Sequence, residues 1–187
     1  MEDKKILNDI REILLSEEEI DKLTTDLAER IDRDYADRNK RLLLLGILKG
    51  SVVFLADLMK KIKRPVEIDF MKVSSYQNGT TTTGKINIIL DLHRSDLSQL
   101  DILVVEDIID SGKTLSYLID YLKLNGARSV KTCTLLDKPS RRQVDFTPDY
   151  CGAEIPDHFV VGYGLDFAEL YRTLPFVGIL KPEVYEK

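Results

Sequence analysis

At 187 residues, with 43% apolar and 32% charged residues of both signs, the chain is long enough for one substantial core and too short for two ordinary domains. A formal net charge of −5 argues against a general nucleic-acid binder, which needs a basic face to neutralise phosphates. No apolar run approaches the roughly 18 residues of a membrane span, and the charged opening MEDKKILNDI lacks the apolar core of a secretory signal, so a cytoplasmic protein is expected.

The first predicted element is a helix over residues 16–38. SEEE at Ser16 to Glu19 has capping-box spacing, and Ile20, Leu23, Leu27, Ile31 and Tyr35 form one apolar stripe. RLLLLGIL (41–48) is a continuous apolar run stopped by Lys49-Gly50, as expected of a strand covered on both faces. SVVFLADLMKKI follows as a helix, and Pro65 leads into a strand at 66–73. YQNGTTTTG (76–84) has neither helical nor strand period and reads as a loop or hairpin tip. KINIIL and DILVVE are strands, TLSYLIDYLKLNG is a helix closed by Gly126, and SVKTCTLLD is a further strand. The last forty residues mix short apolar runs with Pro, Gly and aromatic residues. No internal repeat or linker is visible.

Strand and helix alternate through the middle of the chain, which predicts an α/β fold with a mostly parallel sheet and helices on both faces. Ligands in such sheets bind beyond the carboxyl ends of the strands. Lys49, Glu106 and Lys138 each stand where an apolar run stops. Cys133 and Cys151 form no CxxC, and His93 and His158 form no metal cluster; packing and surface roles are expected for all four.

The stretch ILVVEDIIDSGKTLSYLI (102–119) carries the chemistry. Ser111-Gly112-Lys113-Thr114 lies between a strand and a helix, where free amides and the helix dipole favour an anion. A Walker loop needs a glycine five residues before Gly112, and that position is Asp107. Just upstream stand Glu106, Asp107 and Asp110. Two unit charges about 4 Å apart cost about 4 kcal/mol at an effective dielectric of about 20. Three acids beside a phosphate loop therefore need ligand hydroxyls or a divalent cation to offset them. Adjacent acids suit a ribose diol, and Mg²⁺ suits a polyphosphate. The residues thus point to a phosphorylated sugar bearing pyrophosphate, against the plainer reading of an acidic loop with a good N-cap.

VVEDIIDSGKTL resembles the phosphoribosyl diphosphate (PRPP) motif of type I phosphoribosyltransferases. LKGS (48–51), SSY (74–76), LLDKP (135–139), PDYCGAEIPDHFVVGYGLDF (148–167) and YR (171–172) resemble the hypoxanthine-guanine branch, over roughly residues 40–185. The resemblance implies a type I phosphoribosyltransferase fold forming one domain over 1–187: a mostly parallel central sheet flanked by helices, with a small hood to which the N-terminal helical segment and the C-terminal part contribute. It implies transfer of phosphoribose from PRPP to hypoxanthine or guanine, Mg²⁺ as cofactor, and a homodimer or homotetramer without nucleic-acid or membrane partners.

Carried over by resemblance, Glu106 and Asp107 bind the ribose hydroxyls, Asp110 is the catalytic group at purine N7, and Ser111, Gly112, Lys113 and Thr114 hold the 5′-phosphate. Lys49 and Gly50, after a cis bond between Leu48 and Lys49, bind pyrophosphate together with Arg172. Lys138 donates to the purine 6-oxo group, which disfavours adenine. Phe159 stacks on the base, and the Val160 backbone reads its edge. Asp166, grouped with the purine contacts, also joins Glu106 and Asp107 in positioning metal, near the pyrophosphate. Ser75 and Tyr76 begin a lid. Two alternatives stay open: xanthine or broad 6-oxopurine specificity, and a PRPP-sensing regulator of the same fold. The arginine pair in KPSRR and the linker LDLHRSDLSQLD depart from the family pattern and are expected to touch none of these contacts.

Overall fold

The computed structural model describes residues 6–37, 39–75 and 86–186. After a short helical turn, strand β1 (Ile10–Leu15) leads into helix α1 (Glu17–Asp34). Ser16 caps α1: the Glu19 amide donates to its Oγ, and its own amide donates to the Glu19 carboxylate at 2.8 Å. The helix stops a turn short of the expected end. There the buried Arg64 guanidinium donates to the carbonyls of Tyr35, Asp37 and Lys40, taking up acceptors at the helix exit.

Next come β2 (Arg41–Ile47), α2 (Val52–Lys61), β3 (Glu67–Ser75) and β4 (Ile86–Leu90). Then follow β5 (Leu100–Ile109), α3 (Lys113–Leu124), β6 (Ser129–Asp137) and β7 (Tyr150–Glu154). The chain closes with β8 (Val160–Val161), β9 (Val177–Leu180) and the short α4 (Pro182–Tyr185). The loop expected at 76–84, with Tyr76, lies outside the described residues; Ser75 ends β3.

Six strands form one sheet in the order β4-β3-β2-β5-β6-β7, parallel throughout except for β4 against β3. From β2 the chain steps outward to β3 and β4, then returns to β5 on the other side of β2. The winding direction thus reverses between β2 and β5, and a crevice opens at their carboxyl ends.

Helices cover both faces, as expected. Ile20, Leu27, Ala28 and Ile31 of α1 and Phe54, Leu55 and Leu58 of α2 pack with Leu42, Leu44, Leu103 and Val105. Leu115, Leu118 and Leu122 of α3 pack on the other side with Leu43, Leu45, Ile102 and Val104. β2 and β5 therefore lose their side chains to apolar surroundings on both faces, which is why they read as unbroken hydrophobic runs. Leu58 is fully buried on the helix that follows the Lys49-Gly50 loop. Leu58→Ala is expected to cost about 2–5 kcal/mol, read as a lower urea midpoint at unchanged slope.

Two expectations are corrected. DILVVE was expected to end at Glu106, but β5 runs on to Ile109, because β6 continues beside it and pairs Ile108 with Leu136 and Ile109 with Asp137. Glu106 and Asp107 consequently lie within a strand. The N-terminal contribution to the small second sheet is also a strand, not the helix: β1 pairs antiparallel with β9, which pairs antiparallel with β8. Helix α1 packs on the large sheet instead.

Candidate active site

Three loops leave the carboxyl ends of neighbouring parallel strands: 48–50 after β2, 110–112 after β5 and the turn at Lys138 after β6. The peptide between Leu48 and Lys49 is cis. Gly50 lies directly against Asp107, since a Cβ built on Gly50 would stand 1.5 Å from Asp107 Oδ2. The other face of that loop meets Gly164, whose φ is +97° and whose built Cβ would lie 2.2 Å from the Gly50 carbonyl oxygen. Only glycines permit this stacking of acid, loop and loop.

Asp107 is buried, with Oδ1 accepting from the Ile108 amide at 2.8 Å. Glu106 Oε2 is shut off from solvent and has no hydrogen-bond partner among the described residues. Burial, with the neighbouring Asp107 charge adding to it, pushes the Glu106 carboxyl well above the usual range. Burial also raises Asp107, against the lowering pull first of the adjoining Glu106 carboxyl, then of the Ile108 amide and the Arg172 charge. An acceptor in this condition is satisfied by a hydroxyl donor or a cation. Among the described residues no set of three or more His, Cys, Asp or Glu stands at metal-ligand spacing. The unpartnered Glu106 oxygen beside Asp107 is instead a donor set of the kind Mg²⁺ takes, one or two carboxylates with phosphate oxygens and water completing the shell.

Gly112 takes the left-handed conformation, φ +79°, and caps α3. The Lys113 amide donates to Ser111 Oγ at 3.3 Å. Lys113 itself is exposed. A helix start of this kind, with its dipole and amides turned to the crevice, is the sort of place where anions are favoured. Beside it, exposed Asp110 faces buried Lys138, with Nζ 3.7 Å from Asp110 Oδ1. The pairing follows from register: the Lys138 amide donates to the Ile109 carbonyl at 2.9 Å.

Across the crevice, Arg172 Nη2 pairs with Asp166 Oδ1 at 2.8 Å and with Glu169 Oε2 at 3.1 Å, and Nη1 donates to the Gly164 carbonyl at 2.8 Å. Lys49 Nζ reaches the other Glu169 oxygen at 2.8 Å. Asp166 also accepts from the Glu169 amide. Glu169, which the sequence reading passed over, therefore ties Lys49 to Arg172, and the Lys49 ammonium and Arg172 guanidinium hold its carboxyl below the ordinary range. The only local hint was an acid between Asp166 and Arg172 in DFAELYR.

Phe159 is not a core residue; it remains 37% exposed. Its ring stacks on Tyr185, with centroids 4.8 Å apart and planes at 22°, and meets Phe167 edge-on. Its carbonyl accepts from the Leu180 amide, and Val160 pairs with Ile179. His93 is exposed, Cys133 is buried in the core and Cys151 partly so.

The KPSRR arginines were expected to touch no site contact, and Arg142 overturns this. Its guanidinium donates to the Asp110 carbonyl at 2.6 Å, the Phe146 carbonyl at 2.9 Å and the Asp137 carboxylate. Arg141 pairs with Asp157 at the surface.

A mostly parallel sheet covered by helices on both faces, with a glycine strand-to-helix turn, a buried acid pair and a lysine–aspartate pair around one switch-point crevice, defines an α/β protein of the doubly wound kind, in which ligands bind at that crevice. A family model described as a phosphoribosyl transferase domain matches residues 11–168. The hypoxanthine-guanine phosphoribosyltransferase of Bacillus subtilis is 51% identical over 179 residues, covering 96% of this chain and 98% of that protein. The Listeria monocytogenes bifunctional protein TilS/HprT is 51% identical over 180 residues, and the chain spans only 27% of its length. The crystal structure of a hypoxanthine phosphoribosyltransferase from Staphylococcus aureus superposes with a TM-score of 0.90 at 48% identity, covering 96% of both chains. The chain belongs to the phosphoribosyltransferase family. No helix of the described residues is long and apolar enough to cross a membrane.

Proposed function

We propose that the chain, as one domain, transfers the 5-phosphoribosyl group of PRPP to hypoxanthine or guanine, giving IMP or GMP and pyrophosphate. The observation that carries this reading is the 3.7 Å approach of Lys138 to Asp110 beside the anion cradle at Ser111–Thr114. It sets a cation suited to a 6-oxo group next to a carboxylate suited to a purine N–H. In this reading the amides and hydroxyls of Ser111, Gly112, Lys113 and Thr114 hold the 5′-phosphate. The ribose hydroxyls donate to Glu106 and Asp107, satisfying the unpaired Glu106 oxygen.

Glu106 and Asp107, with Asp166 on the pyrophosphate side, would hold Mg²⁺ together with the ligand's oxygens, and the ion supplies charge neutralisation to the leaving group. Lys49, the Gly50 backbone and Arg172 bind pyrophosphate, a task suited to a guanidinium fork. Asp166 orients Arg172 through their ion pair. Phe159, backed by Tyr185, offers its face to the base, and the Val160 backbone reads its edge. As pyrophosphate departs, positive charge grows on the ribose. The purine nitrogen attacks from the opposite face with inversion, while Asp110 takes or shares the N7 proton. A cytoplasmic homodimer or homotetramer is the working form.

The test is to mix the protein with PRPP and Mg²⁺ and follow nucleotide formation with hypoxanthine, guanine, xanthine and adenine separately. Product from hypoxanthine and guanine with none from adenine is expected. Product from adenine would remove the role of Lys138. Absence of product from every base, with PRPP still bound, would make the protein a regulator.

A further inference from the structure

We infer that Arg142 is a positioning residue that locks the phosphate loop and Asp110 to the purine side of the site; the inference rests on the ribosyl-transfer reading above. Arg142 has only 15% of its side chain exposed, and its guanidinium joins three separate pieces of chain. Nη1 donates to the Asp110 carbonyl, the last carbonyl before the phosphate loop. Nη2 pairs with the buried Asp137 carboxylate, immediately before Lys138. Nε donates to the Phe146 carbonyl. One side chain thus couples the end of β5 to the end of β6, fixing the backbone on which Asp110 and Lys138 face each other.

The same segment forms the wall of the phosphate loop. The Gln143 amide donates to the Ser111 carbonyl at 3.0 Å. A Cβ built on Gly112 would meet Arg142 Cδ at 3.0 Å, Val144 Cγ2 at 3.1 Å and Phe146 Cβ at 3.3 Å. The loop that cradles the phosphate therefore rests on residues that Arg142 itself holds in place. The task needs a planar fork with donors in several directions; a lysine ammonium at the end of its flexible stem keeps the Asp137 pairing but not the two carbonyls. None of these contacts reaches Lys49 or Arg172. Arg142 therefore acts on the phosphate and purine half of the site and leaves the pyrophosphate half alone.

Arg142→Lys tests this by calorimetric titration with PRPP in Mg²⁺, separately with pyrophosphate in Mg²⁺, and by steady-state assay with hypoxanthine. The expected result is a PRPP Kd raised about tenfold and a kcat lowered about tenfold or more, with pyrophosphate Kd within about twofold of wild type. Equal weakening of both ligands, or unchanged PRPP affinity and kcat in a folded variant, would overturn the role. The double variant Arg142→Gln with Asp137→Asn removes the buried charge pair without stranding Asp137. It is expected to show the same split, so a poorly folding single variant does not decide the matter. Wild-type protein that binds PRPP but turns over no purine would remove the enzymatic reading and leave the split between the ligands to judge Arg142. Wild-type protein that binds no PRPP overturns both.

Discussion

Asp110→Asn is expected to lower kcat by about 10²–10⁴-fold while PRPP affinity stays within about threefold of wild type. The amide keeps the size and the hydrogen-bonding acceptor of the carboxylate but cannot take a proton from the purine. The backbone is expected to stay in place, because the Asp110 carbonyl is held by Arg142 at 2.6 Å and the next strand is tied in through the Ile109 carbonyl. The side chain is half exposed, and its cationic neighbour is Lys138 at 3.7 Å. Its charge contributes little to PRPP binding in this reading, since the ribose and phosphate contacts belong to other residues. Pre-steady-state turnover and direct PRPP titration separate the two quantities. A variant that loses both to the same degree would show Asp110 to be a binding group, and its assignment to the proton would be abandoned.

Gly50→Ala is the second large effect. A Cβ at this position would stand 1.5 Å from Asp107 Oδ2 and 2.6 Å from its Cγ. Asp107 has no free rotation to escape into, being buried, with its carboxylate held to the Ile108 amide. The Gly50 carbonyl cannot retreat either, because Gly164 closes from behind. The methyl group must displace the acid, the Lys49-Gly50 loop, or both, and these belong to the ribose and pyrophosphate contacts of the proposed site. A displacement of about 1 Å at such contacts costs about 10²-fold; kcat/KM for PRPP is expected to fall by at least that factor. The stability loss from overpacking is expected to be smaller in consequence, about 1–3 kcal/mol, so the folded variant can be assayed. Wild-type kcat/KM would mean that the two loops separate freely and that Asp107 is not held as the structure has it.

Much of this architecture was legible in the chain because its causes are local. The capping box at Ser16 and Glu19 and the apolar stripe behind it located α1. The burial of β2 and β5 on both faces left continuous apolar runs, and SVKTCTLLD matched β6 residue for residue. The strand-to-helix turn was visible because Gly112 supplies the left-handed conformation that starts α3. Residues whose meaning comes from a distant partner were not legible. IREILL has no clean alternation, and its burial follows only from pairing with Val177–Leu180 at the far end of the chain. Glu106 and Asp107 looked like the end of a strand because nothing nearby announces that β6 carries the ladder further.

By itself, then, the amino-acid order determined the α/β class, the helices with their caps, the strands covered on both faces and the strand-to-helix turn at Gly112. These follow from periodicity, capping and backbone freedom, which act within a few residues. Only the tertiary structure decided which charges meet: Lys138 with Asp110, Lys49 and Arg172 with Glu169, and Arg142 with Asp137 and the Asp110 carbonyl. An isolated arginine or glutamate carries no record in sequence of the partner it will find. That partner is set by strand order and register, and here the reversal between β2 and β5 brings the ends of separate βα units to one crevice.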